Sequence, residues 1–591
     1  MTFFRLDNKW LIWPLFLFLM TYAVLRALFV EPLFDELATL YWYIQTGYLP
    51  GRGATMDANN HILNSLISHQ CFRLFGDHFF VYRLFSVLTF PIYFFAGRKL
   101  LSKTKSPFSI FIFLALISVH WIFDYFSFSR GYGPSLAFLV LAFYLIQRWF
   151  ETKKAHLYIA VIFFFAATLL SNLSLLIPLV ILLFYLIFVS IIHVKQFTVR
   201  QLVGFWITTL CFMTFLVPVY IYINKLKKAG ALWWGSKEGL WEVTGKSISK
   251  NVFFSESEVF KYLMVFGIAL SAVTLRRRWK NSGLKNLLLD PSWWIPVLFV
   301  LTLFGIWVSS KMLDVNYPMD RVGMYLVPLF ILSVGYSVQN SEILRWALLG
   351  FLWFPASFVL NMNLDSSVFS PEDRIHRNFY REILRKVPSD ACISADYVSQ
   401  ASYAYLTRKE KIPHVATDYL AEDSLSRGDY HISWVEALNW PDYSCILQDP
   451  VSGTRLYKRN TFSEKQVILD TMIPAIKSSN AVIPVLDLDL SSFSGRLVQT
   501  IVDGNVRLDK YCLDLNLRHE AESLKGELRR TDNTRFNWYF GRKTGYQFHY
   551  PNHPLLILPE DRILHIRFYN DDHNRVNLSG IHIKILAVTK K

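Results

Sequence analysis

Residues 10–30 read WLIWPLFLFLMTYAVLRALFV, with Arg26 as the one charged residue. A bilayer core needs about 20 consecutive apolar residues, and this run supplies them. Its apolar core is longer than that of a cleaved leader, and no small-residue cleavage pattern follows it. Shortly beyond its end stand Asp35 and Glu36. Two adjacent carboxylates directly after a membrane span lie at a membrane surface, where they can meet a lipid-borne substrate, a metal ion, or both.

Comparable apolar runs recur up to about residue 360 and then stop. Eleven spans are expected, at about 10–30, 79–97, 107–123, 132–150, 156–170, 173–193, 203–223, 258–275, 293–310, 323–339 and 343–360. The chain has 591 residues, 53% of them hydrophobic and 17% aromatic, so it is too long for one compact domain. Residues 1–360 carry 31 Lys and Arg against 16 Asp and Glu, a net charge of +15; the remainder carries 30 against 29. The positive charge belongs to the membrane half, where basic cytoplasmic loops are expected. A near-neutral soluble part gives no support for nucleic-acid binding.

The basic loops RKLLSKTK (98–105), RWFETKK (148–154), HVKQFTVR (193–200) and RRRWK (276–280) set the cytoplasmic side. The loops 31–78, 124–131, 171–172, 224–257 and 311–322 then face out, and eleven spans carry the C-terminal part to the outer side. Of the 16 early acidic residues, only Asp7, Glu151, Asp290 and Glu342 remain inside. Acidic residues do little to set topology, so the asymmetry needs another cause, and an outer-face active site supplies one.

Loop 31–78 carries helical apolar spacing at 37–49 and 61–75 and reads as amphipathic helices in the interface. Loop 224–257 holds Trp233, Trp234 and Trp241, which suit the interface or a sugar-stacking surface. After 360, HRNFYREILRKV (376–387) predicts a helix, while DACISAD (390–396) and 443–459 predict strands turning at 450–453: a small α/β domain over 361–460. From 461 to 591, AVIPVLDLDL, GRLVQTIVDG, KYCLDLNLRH, FNWYFGRK and GIHIKILAVT predict short strands of a β-sandwich. This β-rich part is a candidate glycan binder, acceptor-positioning element or structural lid. Cys392 and Cys445 are a candidate disulfide in this outer part; two buried thiols are the alternative reading.

Four elements can carry chemistry. Asp35 and Glu36 can deprotonate an acceptor hydroxyl or hold Mg²⁺ or Mn²⁺, or else be solvated loop acids. Asn59, Asn60 and His61 suit recognition of sugar hydroxyls, or a helix N-cap. FDYFSFSRGYG (123–133) brings Asp124, Arg130 and Tyr132; Arg130 can take a lipid phosphate while Asp124 assists, or the two can pair. VNYPMDRVGMYLVP (315–328) brings Asp320 and Arg321. A guanidinium matches phosphate oxygens with parallel hydrogen bonds, so Arg321 is a candidate to neutralise a departing phosphate, or else a partner for Asp320. Arg26 and Arg83, near the outer ends of their spans, are further phosphate contacts or snorkelling residues.

In this order and on one side of the membrane, these motifs resemble integral-membrane glycosyltransferases of the GT-C superfamily, in particular bacterial relatives of protein O-mannosyltransferases and of lipid A aminoarabinose transferases. The resemblance covers residues 1–360; the C-terminal part resembles them only in its position. It implies a GT-C-type helical domain and a sugar donor carried on polyprenyl phosphate. It also implies an acceptor (protein, lipid or glycan) on the periplasmic face of a bacterial inner membrane, and inverting transfer. Asp35 would activate the acceptor, with Glu36 and Asp124 in support. Arg130, Arg321 and Arg83 would bind the donor phosphate, and Asn59, Asn60, His61, Tyr132 and Asp320 the acceptor or sugar. The chain departs from the family where Arg321 is followed by Val-Gly-Met-Tyr rather than directly by Tyr. Rival readings are a polymerase of lipid-linked glycan repeats, a flippase, and a glycan receptor. A flippase would bury charges at mid-membrane, and eleven spans exceed what a receptor's anchor needs.

Overall fold

The computed structural model describes residues 6, 8–47, 56–103, 106–254, 258–338, 341, 344–371, 373–418, 428–433, 440–509, 515–530, 534–540 and 545–590. The chain folds as two compact units: one of Met1–Phe29, Leu49–Cys71 and Phe79–Leu364, the other of Val30–Tyr48, Phe72–His78 and Asp365–Lys591. Two pieces of the early loop thus belong in space with the C-terminal part.

The first unit is helical. Among the described residues, eight helices are long and apolar enough to cross a membrane: Lys9–Phe29, Phe79–Ser102, Tyr132–Thr152, Leu173–Ile192, Val199–Lys228, Val259–Lys280, Trp293–Leu313 and Asp320–Val338. The other three predicted spans take different forms. Ala155–Ser171 is helical but shorter. The 107–123 run breaks into Ser109–Ile117 and a short helix His120–Asp124. The last run starts as a 3₁₀-helix, Leu344–Leu352, and becomes α-helical over Trp353–Leu360. Pro355 lies in that helix's first turn, where its ring is tolerated, but it opposes α-helix upstream. The expected helix at 61–75 is present as Ile62–Phe75.

In the second unit, the predicted helix at 376–387 forms as Arg377–Lys386, with Phe379, Tyr380 and Ile383 buried. A five-stranded sheet runs in the order Thr417–Asp418, Ile393–Ala395, Tyr430–Ser433, Arg455–Arg459, Tyr443–Gln448. The strand Ile393–Ala395 is parallel to both its neighbours. Cys392 and Cys445 are both free thiols, and Cys445 is exposed, so neither the disulfide nor the pair of buried thiols forms. Cys392 adjoins one strand and Cys445 lies three strand positions away, about 14 Å at the usual spacing and beyond disulfide reach.

Two further sheets make the sandwich. One contains Phe462–Ile473, Leu497–Leu508, Gly545–Pro551 and Val576–Lys590; the other Val482–Asp489, Leu515–Ser523, Leu528–Arg530 and Asp561–Asn570. Strand Leu497–Leu508 alternates along its C-terminal half, burying Val502, Gly504, Val506 and Leu508 while Asn505 and Arg507 face out. The strand expected at 536–543 is not one: Phe536–Tyr539 is a 3₁₀ turn, residues 541–544 lying outside the described set. Its aromatic rings are buried on one another rather than alternating, Phe536 packing edge-on against Phe548 at 4.9 Å. Residues 510–514 of the run around Cys512 also lie outside the described residues.

Candidate active site

In the helical unit the site grows from the break after Ile117. A short helix there, His120–Asp124, ends on Asp124, whose carboxylate meets the Arg26 guanidinium at 2.9 Å, both side chains buried. Four-residue spacing then builds a network from both helices. His120 Nδ1 stands 3.5 Å from the same Asp124 oxygen. Tyr22, one turn before Arg26, donates its hydroxyl to the Asn363 carbonyl at 3.1 Å and accepts the Asn363 N–H at 3.0 Å. Arg26 donates to that carbonyl at 2.7 Å. Burying an ion pair costs solvation that only close geometry and further hydrogen bonds offset, and this network supplies both.

The loop that follows gathers more arginine. Phe128 lies against two guanidiniums, Arg26 at 5.9 Å and Arg83 at 5.3 Å from its ring centre. Arg83 donates to the Ala27 carbonyl at 3.1 Å. Arg130 donates to Asn59 Oδ1, and its own carbonyl accepts from Ser86 Oγ at 3.3 Å. Arg26, Arg83 and Arg130 are all almost fully buried.

Sequence neighbours of these groups join across the same loop. His61 Nδ1 is 2.7 Å from the Ser171 carbonyl, and its ring stands edge-on to Tyr132 at 4.6 Å. Gly131 is required there: a Cβ at that position would run into the Ser171 carbonyl oxygen and come within 2.7 Å of His61. Asn60 Oδ1 accepts from Ser65 Oγ at 2.9 Å, and Asn64 Nδ2 donates to Ser129 Oγ at 3.4 Å.

Asp320 and Arg321 open a 3₁₀ turn, Asp320–Gly323. Asp320 adopts the left-handed conformation, φ 48°, uncommon for a residue with a Cβ. Its N–H donates to Ser247 Oγ at 3.0 Å, and its carboxylate accepts from Asn251 Nδ2 at 3.1 Å. Arg321 lies over the Trp234 ring, 5.1 Å from its centre. Trp234 therefore packs against a cation.

Asp35 and Glu36 belong to the other unit. They sit in the first turn of the helix Phe34–Thr39, which continues as a π-helix over Leu40–Ile44. Glu36 is buried, and its Oε2 accepts the Leu33 N–H at 3.2 Å. It thereby satisfies one of the donors a helix start leaves open. Asp35 is half-buried. Tyr41 anchors the segment, stacking on Trp538 at 5.1 Å and donating to the Ala401 carbonyl at 3.1 Å. Among the described residues, no group of three or more His, Cys, Asp or Glu is placed to hold a metal ion.

The structure thus pairs Asn59 with Arg130 and His61 with Tyr132, and sets Asp124 on Arg26. Tyr22, His120, Phe128 and Asn363 were not picked out from sequence. The four-residue spacings of Tyr22 with Arg26 and His120 with Asp124 were legible signals for two of them. Asn363 offered none, because it meets Arg26 only through the fold.

No family profile matches the chain, and no curated protein matches it. Among solved structures, it is similar to ArnT from Cupriavidus metallidurans in the apo state, at 13% identity and TM-score 0.32, over 76% of this chain and 98% of that one. The same protein bound to undecaprenyl phosphate matches at 10% identity and TM-score 0.34, with the same coverage. The arabinosyltransferase EmbB from Mycobacterium smegmatis matches at 11% identity and TM-score 0.36, over 96% of this chain and 63% of that one.

Proposed function

We propose that the protein is an integral-membrane glycosyltransferase that moves a sugar from a polyprenyl-phosphate donor to an acceptor hydroxyl on the periplasmic face of the inner membrane, with inversion. The observation that carries this reading is the gathering of Arg26, Arg83 and Arg130, all buried, around the short loop 125–131. Guanidiniums present forked donors that match phosphate oxygens, and in a site shielded from water they stabilise charge far better than in bulk solvent. Arg321 is a further phosphate ligand in this reading, and Asn59, Asn60, His61, Tyr132 and Asp320 face the sugar or acceptor.

In the reaction, the Asp35 carboxylate takes the proton of the acceptor hydroxyl. The oxygen attacks the anomeric carbon from the face opposite the phosphate. The bond from that carbon to the phosphate oxygen breaks, and its electron pair leaves with polyprenyl phosphate, held by the arginines. Glu36 orders the turn that presents Asp35, and Asp124 holds Arg26 in place.

The test is release of polyprenyl phosphate by purified protein in detergent, given a panel of polyprenyl-phosphate sugars and membrane extract as acceptor. Release that Asp35→Asn abolishes supports the proposal and identifies the donor. Absence of release with every donor overturns it in favour of repeat polymerisation or lipid transport.

A further inference from the structure

The C-terminal unit contains a half-open cavity of about 800 Å³. One wall is the outward face of a β-sheet. Antiparallel register sets His549 opposite Asp503 and Gln547 opposite Asn505. On the other side of the same central strand, His582 is opposite Asp503. Residues two apart on a strand share a face, so two polar rungs lie side by side: His549–Asp503–His582 and Gln547–Asn505.

The first rung is tied into the sheet. His549 Nδ1 meets Asp503 Oδ1 at 2.5 Å, while His582, with its Nδ1 3.9 Å from Asp503 Oδ2, is held through Nε2 by Asp470 Oδ1. These partners fix the floor. The second rung is exposed. Gly580, at φ 59°, takes a left-handed bulge beside it, where the register shifts between Ser579 and His582.

The facing wall is of opposite character: Leu384, Val387, Pro388, Ile412 and Pro413. The walls meet at His549, whose Nε2 reaches the Ser389 carbonyl at 2.6 Å and whose backbone N–H donates to the Pro413 carbonyl at 2.7 Å. An apolar wall and a floor of paired planar polar groups are what a sugar ring requires. Its C–H faces pack on one, and its neighbouring hydroxyls take hydrogen bonds from the other. Directly opposed side chains stand about 5 Å apart, close to the width of such a ring. A peptide strand would instead pair with the sheet edge through its backbone, and at His549 that edge is already bonded to the 413–415 segment.

We propose that this slot binds a short neutral oligosaccharide, with Asn505 and Gln547 as its hydrogen-bonding pair. The site is separate from the transfer reaction and does not rest on it. The test uses full-length protein in detergent on a printed array of defined neutral di- to hexasaccharides, beside a set of random heptapeptides, with hits titrated by calorimetry. Saccharide binding weakened at least ten-fold by Asn505→Ala with Gln547→Ala is the expected result. Ser389→Trp, which plugs the slot from the other wall, should weaken it as much. All three positions are exposed, and an unchanged thermal unfolding midpoint verifies the fold of each variant. Capture of no saccharide, saccharide binding indifferent to both changes, or retention of peptides alone overturns the proposal.

Discussion

Arg26 and Asp124, from two separate helices, form a buried ion pair at 2.9 Å, and the guanidinium also donates to the Asn363 carbonyl at 2.7 Å. Removing one partner leaves the other charge buried, which costs about 3–5 kcal/mol in comparable settings, whereas replacing both by apolar residues is far milder. Asp124→Ala should therefore lower the unfolding midpoint sharply in detergent. Arg26→Met combined with Asp124→Leu should recover most of the loss while still abolishing transfer. If the double variant is no more stable than Asp124→Ala, the pair is not what Asp124 supports.

The acidic pair should separate into one chemical and one structural residue. Asp35→Asn is expected to cut polyprenyl phosphate release by roughly 100-fold or more, the usual worth of a general base, with the unfolding midpoint unchanged. Glu36→Ala removes the acceptor of the Leu33 N–H and should cost about 1 kcal/mol of stability, with a smaller loss of rate. If Asp35 and a donor phosphate share a Mg²⁺ or Mn²⁺ ion, EDTA added during the same assay stops release and excess Mg²⁺ restores it; release that continues in EDTA leaves Asp35 acting as a base alone.

Gly131→Ala places a methyl group against the Ser171 carbonyl and His61. Separating them breaks the 2.7 Å contact and should destabilise the helical unit by about 1–3 kcal/mol, as overpacking does. Gly204→Ala, with open space around its Cβ, is the matched control and should be neutral or slightly stabilising.

Two histidines of the C-terminal unit give stability opposite dependences on pH. Burial pushes His414 down to about 4. Between about pH 4 and 6.5 the unfolded chain holds that proton and the folded one does not, so this contribution weakens as pH falls through the window. At His549, burial acts downward, but the hydrogen bond and charge of Asp503 outweigh it and raise the pKa above 6.5. Its contribution is complete below about pH 6.5 and is lost as pH rises through the raised value. Unfolding midpoints across pH should lose the acid-side decline in His414→Gln and the alkaline-side decline in His549→Gln.

The placement of the C-terminal unit is open to chemical labelling. Cys445 is exposed and Cys392 buried. In a Cys71→Ser, Cys512→Ser background, a membrane-impermeant maleimide added to intact spheroplasts should label the protein, and Cys445→Ser should remove most of that signal. Labelling only after lysis would put the unit on the cytoplasmic side.

Much of the architecture was legible because it follows from local pattern. Apolar runs near residues 10–30 and 132–150 satisfy their own backbone hydrogen bonds as helices, the requirement a membrane imposes. Alternation along 502–508 likewise marks a strand with one buried face. The aromatic cluster at 536–539 misled, because its burial comes from packing on Phe548 and not from strand alternation. The break after Ile117 was equally hidden: Ser118 is the one polar residue between Ile110 and Val119, and a lone serine does not mark a helix end.

By itself, the sequence determined that the first part is a bundle of apolar helices, that a charge-balanced α/β and β-rich region follows, and that arginines and carboxylates cluster in the segments 31–78, 124–131 and 311–322 between apolar runs. Those properties depend on residues close together in the chain. Tertiary structure alone decided which of these groups meet: Asp124 with Arg26, Arg130 with Asn59, His61 with Ser171, and Asp35 and Glu36 with the C-terminal unit. Such meetings depend on helix packing and on strand register, where side chains far apart in sequence offset each other's desolvation. No local spacing encodes that.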